Sequence, residues 1–169
     1  MTSFFKKAAI IAIAVTMSVA ANAQTKGDMA AGGNLVLGTG DSFSNVGIGA
    51  KFQYNVTDPI RLEGSFTFFL KKDFISQWDF SVNGHYLFPV ADQITVYPLV
   101  GLGIFGTKVS VDLGPFGNMS TSASDLCVNL GGGIDFKLTD QLILNAELKY
   151  KIVNNWNRLM LSAGVAYKF

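Results

Sequence analysis

The chain has 169 residues, 49% of them apolar and only 15% charged, which gives room for one domain and too few charges for a well-solvated surface. Thirteen basic residues against twelve acidic ones form no basic stripe and no acidic tail, which argues against a nucleic-acid partner. Cys127 is the single cysteine, so neither an intramolecular disulfide nor a structural zinc site stabilises the fold.

Residues 1–23 read as a secretory signal. Lys6 and Lys7 precede the apolar run Ala8 to Ala21, and Ala21-Asn22-Ala23 forms a small-residue cleavage pattern before Gln24. The apolar run, about 14 residues, falls short of the ~20 a membrane helix needs. A mature domain over 24–169 is therefore expected outside the inner membrane. Because Gln24 stands where a lipidated cysteine would, lipid attachment has no support.

After Gln24 no stretch has the length or the stripe of a membrane helix, and period two takes over. A first strand over Asp28 to Gly38 rests mainly on Leu35 and Leu37, and Val46 to Val56 follows with Lys51 and Gln53 on its polar face. Ile60, Leu62, Phe66 and Phe68 then oppose Arg61, Glu63, Ser65 and Thr67, and Trp78, Phe80, Val82, Tyr86 and Phe88 oppose Asp79, Ser81, Asn83 and His85. Ile94 to Gly106 has a less polar second face of Thr95, Tyr97, Leu99, Gly101, Gly103 and Phe105. Leu126 to Leu138 places Asn129, Asp135 and Lys137 between its apolar positions, and Leu142 to Ile152 does the same with Asn145, Glu147, Lys149 and Lys151. The last strand sets Leu159, Leu161, Ala163, Val165, Tyr167 and Phe169 against Met160, Ser162, Gly164, Ala166 and Lys168. These are eight strands, each near the ~9–11 residues that a tilted strand needs to cross the hydrocarbon layer.

The connections alternate too. Asn55 to Pro59, Pro89 to Gln93 and Thr139 to Gln141 are short turns with an Asp placed to bond the following backbone. Thr39 to Phe43, Lys71 to Gln77, the long Val111 to Asp125 and Asn154 to Asn157 lie between them. An even strand number puts both mature termini on one side with the short turns, the periplasmic side, and the other loops outside.

Alternation alone leaves open which face is the interior, but residue size decides it. The polar face is crowded with Gly, Ser, Asn and Thr that fit a narrow lumen, and the apolar face carries large Leu, Phe, Tyr and Trp. Lipid offers no partner for a strand edge, so the sheet must close. The expected fold is all-β: an eight-stranded antiparallel transmembrane up-and-down β-barrel. Tyr54, Trp78, Phe88, Tyr150, Trp156 and Tyr167 near strand ends are expected in two interfacial belts. Inside, Lys51, Arg61, Lys137, Lys149, Lys151, Arg158 and Lys168 are expected to meet Glu63, Asp79, Asp135 and Glu147, with His85 in the same salt-bridged polar plug.

At this point the chain resembles the small eight-stranded outer-membrane barrels of the OmpX and opacity-protein type, over essentially all of residues 24–169. Its most specific feature is the stretch Leu161 to Phe169, in which the terminal Phe169 follows alternating Tyr167, Val165 and Ala163. The resemblance implies that Tyr167 and Phe169 present an assembly signal to the outer-membrane assembly machinery. It also implies a bacterial outer-membrane location, with membrane lipids as neighbours, and roles such as adhesion and envelope integrity.

No catalytic, metal or cofactor motif stands out. His85, the single histidine, shares a face with Asp79 and Ser81, but same-face neighbours along one strand lie ~6.6 Å or more apart, too far for direct nucleophile activation. The glycines at 101, 103 and 131–133 sit within strands and lack the helix of a phosphate-binding loop. Phe116 and Met119, in the long loop, are the candidates for contact with an extracellular ligand. The expected function is structural or surface-interacting and not enzymatic. A passive small-solute channel is the alternative, followed by a lipid-modifying enzyme.

Overall fold

The computed structural model describes residues 25–40, 43–154 and 156–169; the signal expected over residues 1–23 lies outside the described residues. Nine strands appear in the order β1 (Met29–Gly40), β2 (Phe43–Asn55), β3 (Ile60–Lys72), β4 (Ile75–Tyr86), β5 (Phe88–Pro89), β6 (Ile94–Asp112), β7 (Asn118–Lys137), β8 (Leu142–Val153) and β9 (Trp156–Lys168). β5 continues β4 past Leu87, whose N–H donates to the Pro59 carbonyl at 2.7 Å, so the two together act as one stave. Each stave pairs antiparallel with its neighbours, β9 pairs β1, and β4 pairs β6, which closes the sheet into an eight-staved barrel.

The burial pattern is that of a barrel turned outward. Among the described residues most buried side chains are polar, including Lys51, Arg61, Glu63, Asn83, Asn129 and Glu147, whereas Leu35, Leu102, Leu126 and Phe80 are exposed. Alternation in the sequence is thus alternation between lumen and outer surface. An exterior of leucine, phenylalanine and valine is stable only in lipid, where closure of the sheet leaves no free strand edge facing the hydrocarbon.

At the end where β1 begins and β9 finishes, three turns share one geometry. The N–H groups of Val56, Val90 and Leu138 donate to the carbonyls of Ile60, Ile94 and Leu142, each at 2.9 Å. The side-chain bonds here differ from the expected Asp turns. Thr57 Oγ1 accepts from Ile60 N and Thr139 Oγ1 from Leu142 N, while Asp58 takes the Lys26 amide and Asp140 pairs with Lys137.

The opposite end differs most from the sequence reading. β6 and β7 run 19 and 20 residues against 12 or 13 for the other long strands, so most of the expected loop over Val111 to Asp125 is a paired ribbon. Pairing continues to Asp112 opposite Asn118, and a 3-10 turn over Gly114–Phe116 closes the tip. Gly114 and Gly117 both hold positive φ there, at 61° and 95°, which a side chain would oppose. The ribbon was hidden because its parity reverses. Outward positions pass from Leu102 and Ile104 to Gly106, Lys108 and Ser110, and from Leu126 to Ser124, Ser122 and Ser120. That switch marks where the greasy surface stops, after which roughly 25 Å of ribbon continues.

Candidate functional site

The lumen holds a continuous ion-pair hub nearer the terminus end. Arg61, the second residue of β3, reaches across to β7, where its Nη1 donates to Asp135 Oδ2 at 2.6 Å. Its Nε and Nη2 point at His85 Nδ1, at 3.1 and 3.0 Å. Both contacts come from obligate donors, so Nδ1 accepts and the neutral ring carries its proton on Nε2. The Arg61 guanidinium lies 4.7 Å above the Tyr97 ring, against which His85 also stacks at 4.5 Å. Tyr97 then donates its hydroxyl to Glu147 Oε1 at 2.8 Å.

Glu147 also faces Lys51 at 3.5 Å and Lys149 at 3.3 Å, and Lys51 lies 3.7 Å from Glu63. Gln53 and Asn83 donate to the two Glu63 oxygens, and Asn145 accepts from Lys51 at 2.6 Å. Asn129 Nδ2 donates to Asn83 Oδ1 and links this group to a second one, in which Lys151 pairs with Asp79 at 2.5 Å and donates to Ser81 and Asn129. Gly133 makes the hub possible, because a Cβ there would stand 2.6 Å from the Tyr97 ring and 2.8 Å from Glu147 Cγ.

Residues 8–169 match the family model for the outer membrane protein beta-barrel domain. The chain belongs to that family. No curated protein sequence matches it. Among solved structures, it resembles the N-terminal β-barrel domain of Pseudomonas aeruginosa OprF (TM-score 0.63, 16% identity, covering 86% of this chain and 100% of that one). It also resembles neisserial surface protein A (0.62, 18%, covering 84% and 96%). A third likeness is to Ail, the attachment invasion locus protein of Yersinia pestis, solved with the heparin analogue sucrose octasulfate (0.61, 20%, covering 86% and 100%). At these identities the likeness is one of fold. The family places the chain among transmembrane barrels of the bacterial outer membrane.

Within this family barrel, the structure brings together in the hub nine of the twelve charged or histidine residues expected in the lumen: Lys51, Arg61, Glu63, Asp79, His85, Asp135, Glu147, Lys149 and Lys151. Lys137 is not among them. At the terminus-end rim its side chain is 41% exposed and pairs with Asp140 at 3.2 Å. Lys168 likewise sits at that rim, 3.3 Å from Asp28. Strand parity is correct for both, but they lie too near a strand end to be enclosed. With both at the rim, five buried cations face four buried carboxylates, and Arg158 is the one without an ion-pair partner among the described residues.

Arg158 sits towards the hairpin end. It donates Nη1 to Gln77 Oε1 at 2.9 Å and Nη2 to Asn45 Oδ1, and lies over the Phe69 and Phe105 rings at 4.7 and 5.4 Å. Phe69, Phe105, Val36, Cys127, Val153 and Met160 pack as an apolar layer there. Trp156 packs against that layer, edge to face with Phe105, so it faces inward and not into an interfacial belt. Trp78 does face out, stacked on Phe66.

Two further arrangements bear on chemistry. Ser81 bonds Asp79 at 2.6 Å and His85 bonds Arg61, so the pair contemplated for nucleophilic catalysis is not formed. Glu63, His85 and Glu147 bring potential metal-ligating atoms within 4.8 Å. Lys51 and Lys149 already neutralise the carboxylates, however, and Arg61 fixes the proton on Nε2, the imidazole nitrogen that faces Glu63. The trio therefore reads as an ion-pair junction.

Phe116 lies in the tip turn and is 88% exposed, and Met119 is not in a loop but in β7 opposite Val111, 67% exposed. Tyr167 and Phe169 are exposed on the outer face at the terminus end, where the Phe169 ring lies 6.5 Å from that of Phe52. Sequence reasoning passed over Tyr97, Asn145 and Gln53 as hub members, although their inward parity was visible.

Proposed function

We propose that this protein is a non-conducting, non-enzymatic surface-interaction component of the outer membrane, with its termini in the periplasm and the β6–β7 ribbon outside. The ribbon is the observation that carries the reading. Beyond the greasy surface it turns polar outward, keeps Val109, Val111 and Met119 on its inner face, and ends in the exposed Phe116. β8 pairs with β7 only from Cys127 onward, so over residues 118–126 one edge of β7 carries no strand among the described residues. An open edge beside exposed apolar side chains suits the docking of an extended polypeptide. Exposure of Tyr167 and Phe169 on the outer face is compatible with their reading by the assembly machinery.

The channel alternative requires a water path past the hub and the apolar layer. Its opposition is physical: four buried carboxylates are each within ion-pair reach of a lysine or arginine, and opening the hub would strand them. Two measurements test the proposal. Purified protein in planar bilayers is expected to give no steady openings, and openings would favour the channel. Cells in which residues 109–121 are replaced by a tight turn are expected to adhere less to protein-coated surfaces than cells with the full ribbon. Equal adherence would remove the ribbon from the function.

A further inference from the structure

Above the apolar layer, the inward-facing residues at the hairpin end line an open-mouthed vestibule of about 410 Å³ bordered by Ile75, Gln77, Thr107, Asp125, Trp156 and Arg158. We infer that this vestibule is a binding site for a neutral saccharide of one or two rings, distinct from the ribbon's edge and tip. The volume fits a ligand of that size, and pockets for small polar ligands combine an apolar wall with a few converging polar groups.

Three features select the ligand chemistry. First, the half-buried Trp156 is held upright in the wall by its perpendicular contact with Phe105, with ring centroids 5.1 Å apart. An indole in a pocket wall offers an apolar face to the C–H side of a sugar ring, with an N–H at its rim. Second, donors and acceptors stand on the same wall. Arg158 is 3% exposed and uses Nη1 on Gln77 and Nη2 on Asn45, while its Nε has no partner among the described residues. That Nε is buried, so of the five guanidinium N–H groups it is the second one on each Nη that remains for ligand oxygens. Asp125, partly buried in β7 opposite Phe105, supplies a carboxylate acceptor, and Thr107 a hydroxyl that serves either way. Third, the formal charges cancel. One guanidinium, lying over two phenyl rings, and one carboxylate border the same space, so neither an anion nor a cation meets a site of net opposite charge. Hydroxyl groups, each donor and acceptor at once, match this mixed set.

The chain has two tryptophans, so Trp78→Phe leaves Trp156 as the sole indole reporter. The full-length variant in lipid nanodiscs, free of sugar-based detergent, is titrated with lactose, maltose, sodium sulfate and glycine betaine while indole emission is followed. The expected result is a saturable change with at least one disaccharide, half-complete in the millimolar range, and none with sulfate or betaine. Adding Asp125→Asn, at a partly buried position, should weaken that sugar about tenfold, the effect of losing one charge-assisted hydrogen bond. Heat-dependent gel migration confirms that each variant is folded. The inference is overturned by the absence of saturation with both sugars, by an equal response to sulfate or betaine, or by a Trp78→Phe/Asp125→Asn protein that binds sugar as well as its parent.

Discussion

Replacing Arg61 with methionine tests whether the hub is held together by charge pairing. Arg61 is fully buried, and its loss leaves Asp135, 4% exposed, without the 2.6 Å guanidinium contact, and His85 Nδ1 without its two donors. Breaking one side of a buried ion pair costs ~3–5 kcal/mol, and the contact with the Tyr97 face adds ~0.5–2 kcal/mol. The expected destabilisation is therefore about 3.5–7 kcal/mol. Asp135→Leu alone should cost a comparable amount, because it strands the guanidinium instead. The double variant removes both charges and fills the space with aliphatic groups, so its cost should fall to about 1.5–4 kcal/mol, the sum of the lost His85 hydrogen bond and the lost Tyr97 contact. Urea unfolding of the refolded barrel in lipid vesicles, followed by tryptophan emission, yields all three free energies. A double variant as unstable as the sum of the singles would refute the reasoning, since it would show no coupling between the two charges.

The other expectations follow from particular contacts. Gly133→Ala places a methyl group within 2.8 Å of both the Tyr97 ring and Glu147, and is expected to cost ~1–3 kcal/mol in the same urea assay. Lysine at Val100, midway along the outward apolar run of β6 from Val96 to Ile104, should cost ~2–4 kcal/mol in lipid. Lysine at Ser122, on the ribbon, should change stability by less than about 0.5 kcal/mol, and this contrast locates the hydrocarbon boundary. At the terminus rim, burial alone would raise the Asp28 carboxyl, but the Thr25 backbone N–H and Lys168 outweigh it and hold it below its ordinary value. A depressed folded value means that the stabilisation is complete above the ordinary carboxylate range and disappears as pH falls through the folded value. Relative to Asp28→Asn, the native protein should thus lose a small increment of thermal stability on acidification below pH ~4, well under 1 kcal/mol for so exposed a pair. A constant difference between the two melting curves from neutral pH to pH ~2 would contradict this.

Strand parity is a rule about faces, and it reads correctly wherever the two faces meet different solvents. Glu63 and Leu62 are neighbours that go to opposite environments, and so are Glu147 and Leu148, so the lumen set was legible from alternation alone. Parity says nothing about depth. Lys137 and Lys168 have the inward parity of Lys149 and Lys151 but lie within a residue of a strand end, where water competes with the lumen. Parity also reverses once both faces meet water, which is why the extension of β6 and β7 read as a loop: Lys108, Ser110, Ser120 and Ser122 stand at the outward positions that leucines hold lower down. Cross-barrel partners lay furthest from view. Arg61 and Asp135 are 74 residues apart, and their meeting depends on the stagger of the closed sheet, which no local pattern encodes. The hub's composition is accordingly set by local sequence, while its pairing is set by closure. For that reason charge substitutions in the lumen should be coupled across the barrel, as between Arg61 and Asp135, and along one strand only where side chains actually meet, as Glu147 and Lys149 do at 3.3 Å.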